Sequence, residues 1–310
     1  IGENPIEAIK ILVNGAVGST RGWGYTLYFA TNFIFTGLAV AVAFRAALFN
    51  IGGEGQAAIG GLGVALVCLQ IDWPHWRVAL PFAVLGGALF GAAWAAIPAY
   101  LQAKRGSHIV ITTIMFNFIA ASLMVYLLVE VLKVPGSMAP ESGPFPDGTN
   151  LPNAFQMLDP LGIPFNKFAP LNVAFLLALL CAVGVWLLLW HTRLGYEIRT
   201  FGQSAPAARY AGISGFRITM IAMLISGGLA GLLGINAVMG EAERLVIDPV
   251  QGAGFVGIAV ALMGRSHPVG VVLAAILFGI LVQGVIELEF EMPAVSREMI
   301  LVIQALVILF

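Results

Sequence analysis

A run of about 20 apolar residues is the feature that most limits what this chain can become. A helix of that length crosses a hydrocarbon core roughly 30 Å thick with its backbone hydrogen bonds made internally. Such windows recur along the 310 residues at about 25–43, 78–100, 109–132, 171–190, 217–239 and 268–287, with a further run at 298–310. Two windows, 57–70 and 252–264, are too short to cross as regular helices. Both are crowded with glycine: Gly52, Gly53, Gly55, Gly60, Gly61 and Gly63 in one, Gly252, Gly254 and Gly257 in the other. Broken or re-entrant helices are the alternative there, because backbone that leaves the helix at membrane depth has to line a cavity or be buried in protein. The expected fold is an all-α polytopic membrane protein with about eight to nine transmembrane or re-entrant helices. Charged residues make up 10% of the chain, against about 25% in an ordinary soluble domain, and this excludes a water-soluble globule.

If every window crosses, the loops alternate sides. One set carries Arg45, Lys104, Arg105, Arg193, Arg199, Arg209, Arg217 and Arg265 against only Glu54 and Glu197; the other carries the remaining cations and most of the acids. The positive-inside rule makes the first set cytoplasmic, so residues 1–24 face outward. They show no signal-peptide pattern, and an earlier span is therefore expected upstream; the last run likewise stops in mid-span. Trp23, Trp73, Trp76 and Trp190 fall at window edges, where an indole prefers to sit. A formal charge of −1 without a basic stripe argues against a nucleic-acid partner. Cys68 and Cys181 lie inside apolar runs and read as small hydrophobes.

Signatures of chemistry are sparse. There is no GxxxxGK[ST] phosphate loop, so any coupling to ATP must come from a partner. His75, His108, His191 and His267 lie at window edges far apart in sequence, which argues against a metal site. Gly212–Gly215 spell the GxSG that resembles rhomboid intramembrane proteases, but Ser214 lies between Arg209 and Arg217 in a basic loop, where a helix-ending turn is the better reading. In the loop 191–216, Ser204 suits an N-cap, Pro206 a first turn and Gly212 a C-terminal stop, which predicts a short helix at about 203–212. It is either a linker at the headgroups or a docking element for a cytoplasmic protein. In the stretch 44–56, Arg45, Asn50, Glu54 and Gln56 stand between apolar runs, forming either a functional polar site or a wetted turn. Asn32, Thr112, Thr113, Ser226 and Asn236 read as interhelical glue, whereas Asn117 and Gln283 are preferred as functional. The pairs Gly87/Gly91 and Gly227/Gly231 read as close helix packing.

Four separated motifs are specific enough to name a family: FNIGGEGQ at 49–56, TRLGYEIRTFGQSAPAARYAGI at 192–213, ISGGLAGLLG at 225–234 and GFVGIAVALMGRSHPVG at 254–270. Together they closely resemble the permease subunits of ABC importers for nucleosides and simple sugars, in a wider group that includes ribose-type and branched-chain amino acid permeases. Asn4, Pro5, Glu7 and Ala8 resemble the longer of the two permeases of nucleoside systems, which carries another span before this point. The resemblance implies a type II-like importer transmembrane domain over 1–310, with 133–170 as the proline-rich outer loop that meets a binding protein. It also implies several partners: a cytoplasmic ATPase that binds ATP and magnesium, a second and different permease, and a periplasmic or lipoprotein binding protein. The setting is a bacterial inner membrane. No cofactor and no catalysis are expected in this chain. The 203–212 stretch matches the family's coupling helix, with Arg199, Gln203, Ala207, Arg209, Tyr210 and Gly212 as coupling residues. Asn50, Glu54, Gln56, Asn117 and Gln283 are the expected pathway residues. Few charges lie in the spans, which favours a neutral solute; an ATP-independent channel or secondary transporter is the rival reading.

Overall fold

The computed structural model describes residues 5–292 and Val302. The run expected at 298–310 lies outside the described residues except for Val302, and so does Asn4. Helix α1 (Pro5–Val17), which the apolar windows do not anticipate, packs along the last turns of α12 (Pro268–Glu291). Ser19 then caps α2 (Thr20–Arg45), its Oγ accepting from Gly22 N at 2.9 Å. Helix α2 is the axis of the fold. It is continuously buried from Ala30 to Ala43 and packs against α7 (Ala174–His191), α10 (Gly215–Gly231), α11 (Ala253–Met263) and α12.

Among the described residues, six helical stretches are long and apolar enough to cross a membrane: α2, α4 (Trp76–Arg105), α5 (Ile109–Tyr126) with its wider-turned extension to Val131, α7, α10 continued to Ala242, and α12. Together with α3 (Gly53–Gln70) and α11 they account for eight of the expected windows. Helices α4 and α10 meet backbone to backbone, because a Cβ on Gly87 would lie 3.0 Å from the Gly231 carbonyl oxygen. The two GxxxG pairs are thus packing devices.

Helices α3 and α11 begin deep in the bundle. The guanidinium of Arg45 at the end of α2 donates to the carbonyls of Ser266 at 3.1 Å and Arg265 at 3.3 Å, so the end of α2 and the turn after α11 share one level. Asn50, reached through Ala47 at φ +55°, instead touches Ser226, whose hydroxyl donates to Ala39 O at 2.6 Å. Six residues of helix separate Ala39 from Arg45, about 9 Å of rise. The first turn of α11 lies deeper still, with Thr36 Oγ1 donating to Ala253 O at 3.0 Å. An 11-residue helix is only about 16 Å long, so α11 runs from mid-depth to the basic face alone. The two glycine-rich windows are therefore broken crossings, each completed by a non-helical stretch, and α3 starts four residues before its window.

On the face opposite Arg45, the loop 133–170 is pinned rather than loose. Ser142 N donates to Leu245 O at 3.0 Å, Leu245 N to Ser142 Oγ at 2.9 Å and Phe145 N to Glu243 O at 2.8 Å, while Arg244 pairs with Glu141 at 2.8 Å. One short helix, α6 (Ala154–Leu158), interrupts it. On the basic face, two helices replace the single one expected: α8 (Arg193–Gln203) and α9 (Ala205–Tyr210).

Candidate functional site

Four of the five expected pathway residues converge where α3 and α11 meet. Both helices point their N-termini at this place, so two sets of unsatisfied N–H groups and two positive dipole ends face each other. Glu54, in the first turn of α3, lies between them. Its Oε1 accepts from Gly252 N and its Oε2 from Gly254 N, both at 2.8 Å. One carboxylate thus caps the neighbouring half-helix while sitting at the start of its own. The approach requires glycine, because a Cβ at Gly254 would lie 2.5 Å from the Glu54 Cα.

The turn that delivers Glu54 to this depth is closed by amides. Asn50 Nδ2 donates to Gln56 Oε1 and to Ser226 Oγ, both at 2.8 Å. Its Oδ1 accepts from Gly52 N at 2.9 Å and Gln56 Nε2 at 3.2 Å. Every donor and acceptor of this buried amide is used. Asn117, on α5, ties the neighbouring residues with one bond from each end of its amide: Oδ1 accepts from Gly55 N and Nδ2 donates to Ile51 O, both at 2.9 Å. Asn50, Gln56 and Asn117 are buried, and together they replace the helical bonds that 46–52 forgoes inside the membrane. Beside them a cavity of about 210 Å³ is lined by Glu54, Gly55, Asn117, Met124, Ile247 and Asp248.

Gln283 stands apart. It lies on α12 toward the end opposite the basic face and donates to Glu287 Oε1, one turn on, at 3.1 Å.

A second polar ladder joins three elements near that same end. Asn172 Nδ2 donates to Asn236 Oδ1 and Asn236 Nδ2 to Asn32 Oδ1, both at 2.9 Å. Asn236 lies in the wider-turned segment Ile235–Ala242 that continues α10. Asn32 and Asn236 thus act as interhelical glue, as their isolation in apolar runs suggests. Asn172 escapes sequence reasoning because it sits at a window edge, where an amide is unremarkable. Ser226 reads as glue from sequence yet belongs to the Asn50 cluster; the glycine crowding at 52–63 marks the break it helps to close.

The expected coupling residues gather on the basic face. Ser204 caps α9, its Oγ accepting from Ala207 N at 3.4 Å, and Gly212 ends it with φ +79°. Ala208 is buried, which turns Gln203, Ala207, Arg209, Tyr210 and Gly212 outward; Tyr210 is 95% exposed. Arg199 lies inward on α8, its guanidinium 5.9 Å from the Trp190 ring that Arg45 approaches at 5.1 Å. Gly202 packs on the backbone of Arg45, so α8 rests on the end of α2, and α9 packs on α8 and α10. Ser214 caps α10 by accepting from Arg217 N, which gives the GxSG stretch its place as a turn between helices. His75 and His267 cap α4 and α12 in the same way through Nδ1.

A family model described as branched-chain amino acid transport system / permease component matches residues 23–310. The guanosine ABC transporter permease protein NupP of Bacillus subtilis is 37% identical over all of this chain and 86% of its own length. The glucose ABC transporter permease protein TsgB13 of Haloferax volcanii is 34% identical over 99% of this chain and 80% of its own length. The nucleoside ABC transporter permease protein NupB of Lactococcus lactis is 32% identical over all of this chain and 84% of its own length. No solved structure gives a significant match.

Proposed function

The chain belongs to the permease-component family of branched-chain amino acid transport systems, and from that premise we propose that it forms the membrane path of an ABC importer for nucleosides. The observation that carries this reading is similarity along the whole chain to permeases named for guanosine and nucleosides. The glucose permease supports simple sugars as the second cargo class. Spans almost free of carboxylates fit a neutral solute better than an amino acid or a proton-coupled carrier.

The chain carries out no covalent chemistry and needs no cofactor. A partner ATPase in the cytoplasm holds ATP and magnesium, a binding protein delivers the solute to the outer face around 133–170, and a second, different permease completes the path in the bacterial inner membrane. Closure of the ATPase pushes on α9 through Arg209 and Tyr210. Because α9 packs on α8 and α8 rests on the end of α2, that push reaches the Arg45–Ser266 contact, the end of α11 and so the Glu54 cap at its other end. The switch between outward-open and inward-open states is a displacement of α11 relative to α3.

Uptake by the complete transporter in proteoliposomes tests the reading. Adenosine and guanosine should compete with labelled guanosine, and leucine should not; competition by leucine alone overturns the cargo assignment. The double variant Arg209→Ala/Tyr210→Ala should hydrolyse ATP while uptake falls, and normal uptake would remove the coupling role.

A further inference from the structure

The Asn50 side chain has spent every hydrogen bond on backbone, Gln56 and Ser226, and both Glu54 oxygens hold the start of α11; polar side chains with no such structural duty lie at a second cavity. Between α2, α12 and the segment 249–256 is a cavity of about 370 Å³, within the usual range for small-molecule sites. Tyr28 and Phe29, an edge-to-face pair with ring centroids 5.4 Å apart, form one wall with Asn32; Val256 and Val282 form the apolar floor; Gln251 and Glu289 form the rim. The Gln251 side-chain amide and the Glu289 carboxylate have no hydrogen-bond partner among the described residues, and both side chains are exposed. Gln251 also holds φ at +51°, just before Gly252 at +80°, at the tip of the non-helical turn; strain in a non-glycine residue of this kind gathers at ligand sites. Irregular backbone at membrane depth has to line water or be buried, and this tip lines the cavity.

We propose that this cavity is the solute subsite of the subunit and that it takes a neutral polyhydroxylated ring. The ring face packs on Tyr28 and Phe29 while its hydroxyls donate to Glu289 and exchange hydrogen bonds with Gln251. A nucleoside's ribose and a free hexose share that chemistry. The assignment rests on the import reading above, and it moves the solute contact away from the Glu54 cluster, which holds the half-helices.

The test uses the complete transporter in proteoliposomes with Val282→Cys, and with Leu273→Cys on the exposed side of α12 as control. A charged methanethiosulfonate reagent should modify Val282→Cys and not Leu273→Cys. Guanosine or glucose, delivered by the binding protein with ATP, should slow the modification. A rate unchanged by a cargo that the wild type carries overturns the subsite. Protection by glucose alone, in a wild type that carries glucose and not guanosine, keeps the subsite and removes the nucleoside reading. Gln251→Leu and Glu289→Leu should each lower uptake about three- to tenfold, the worth of one hydrogen bond, without loss of assembly. Val282→Trp, which fills the cavity, should abolish uptake. Normal uptake by Val282→Trp also overturns the proposal.

Discussion

The turn at 46–52 closes its broken backbone with neutral amides, of which Asn50 uses every donor and acceptor, whereas the turn at 243–252 ends in a half-helix two of whose first N–H groups depend on one carboxylate from another element. Asn50, Gln56, Asn117 and Ser226 hold their turn from four places in the chain. Glu54 supplies both side-chain bonds to the N–H groups at the start of α11, and Thr36 adds one to the Ala253 carbonyl. The first arrangement has no weak link and resists movement. The second concentrates its N–H bonds on a single side chain, and it lies where the fold has a cavity on either side. A stiff turn beside a releasable one gives a bundle a place to move without unfolding.

Substitutions can break that contrast, and the largest effect is expected at Gly254. Its Cβ would meet the Glu54 backbone, which cannot give way, so Gly254→Ala should prevent accumulation of folded subunit in a size-exclusion assay. Gly184→Ala, where nothing lies within 4 Å of the added carbon, should not. Glu54→Ala is next: it strips two charge-assisted bonds from the α11 terminus and should destabilise the detergent-solubilised subunit by about 3 kcal/mol. Glu54→Gln, which keeps one carbonyl acceptor, should lose less. Asn50→Ala leaves Gln56, Ser226 and Gly52 N without their shared partner and should cost about 2 kcal/mol in the same thermal assay. If Asn50→Ala proves worse than Glu54→Ala, the ranking of the two turns is reversed. Ser226→Ala removes one interhelical hydroxyl and should cost about 0.6 kcal/mol, the average for such bonds in a membrane. Arg193→Ala, at an ion pair with Glu197 whose arginine side chain is 93% exposed, should leave the midpoint unchanged.

Much of this was legible in the chain. The apolar windows mark all six long spans among the described residues, because a helix in lipid has to be apolar over its whole length. The short basic-face helix is readable from Ser204, Pro206 and Gly212, whose preferences are local. The amphipathic α8 and the helix α1 were not, since neither contains a run long enough to register as a span. The polar residues of 44–56 announced a site, but sequence could not tell amides that serve the solute from amides that serve the backbone. Gln283 shows the limit: an amide in a span looks the same whether it bonds across the bundle or one turn along its own helix.

Composition and periodicity alone determined that the chain is a multi-helix membrane protein with two glycine-broken windows and a basic face, because each of these depends on the length and polarity of a contiguous segment. Tertiary structure alone decided that the two breaks meet head to head, that Glu54 bridges them across nearly 200 residues of chain, and that Gln251 and Glu289 line one cavity with Tyr28 and Asn32. Those facts depend on which segments come together in space, and no local preference of a residue specifies its partner.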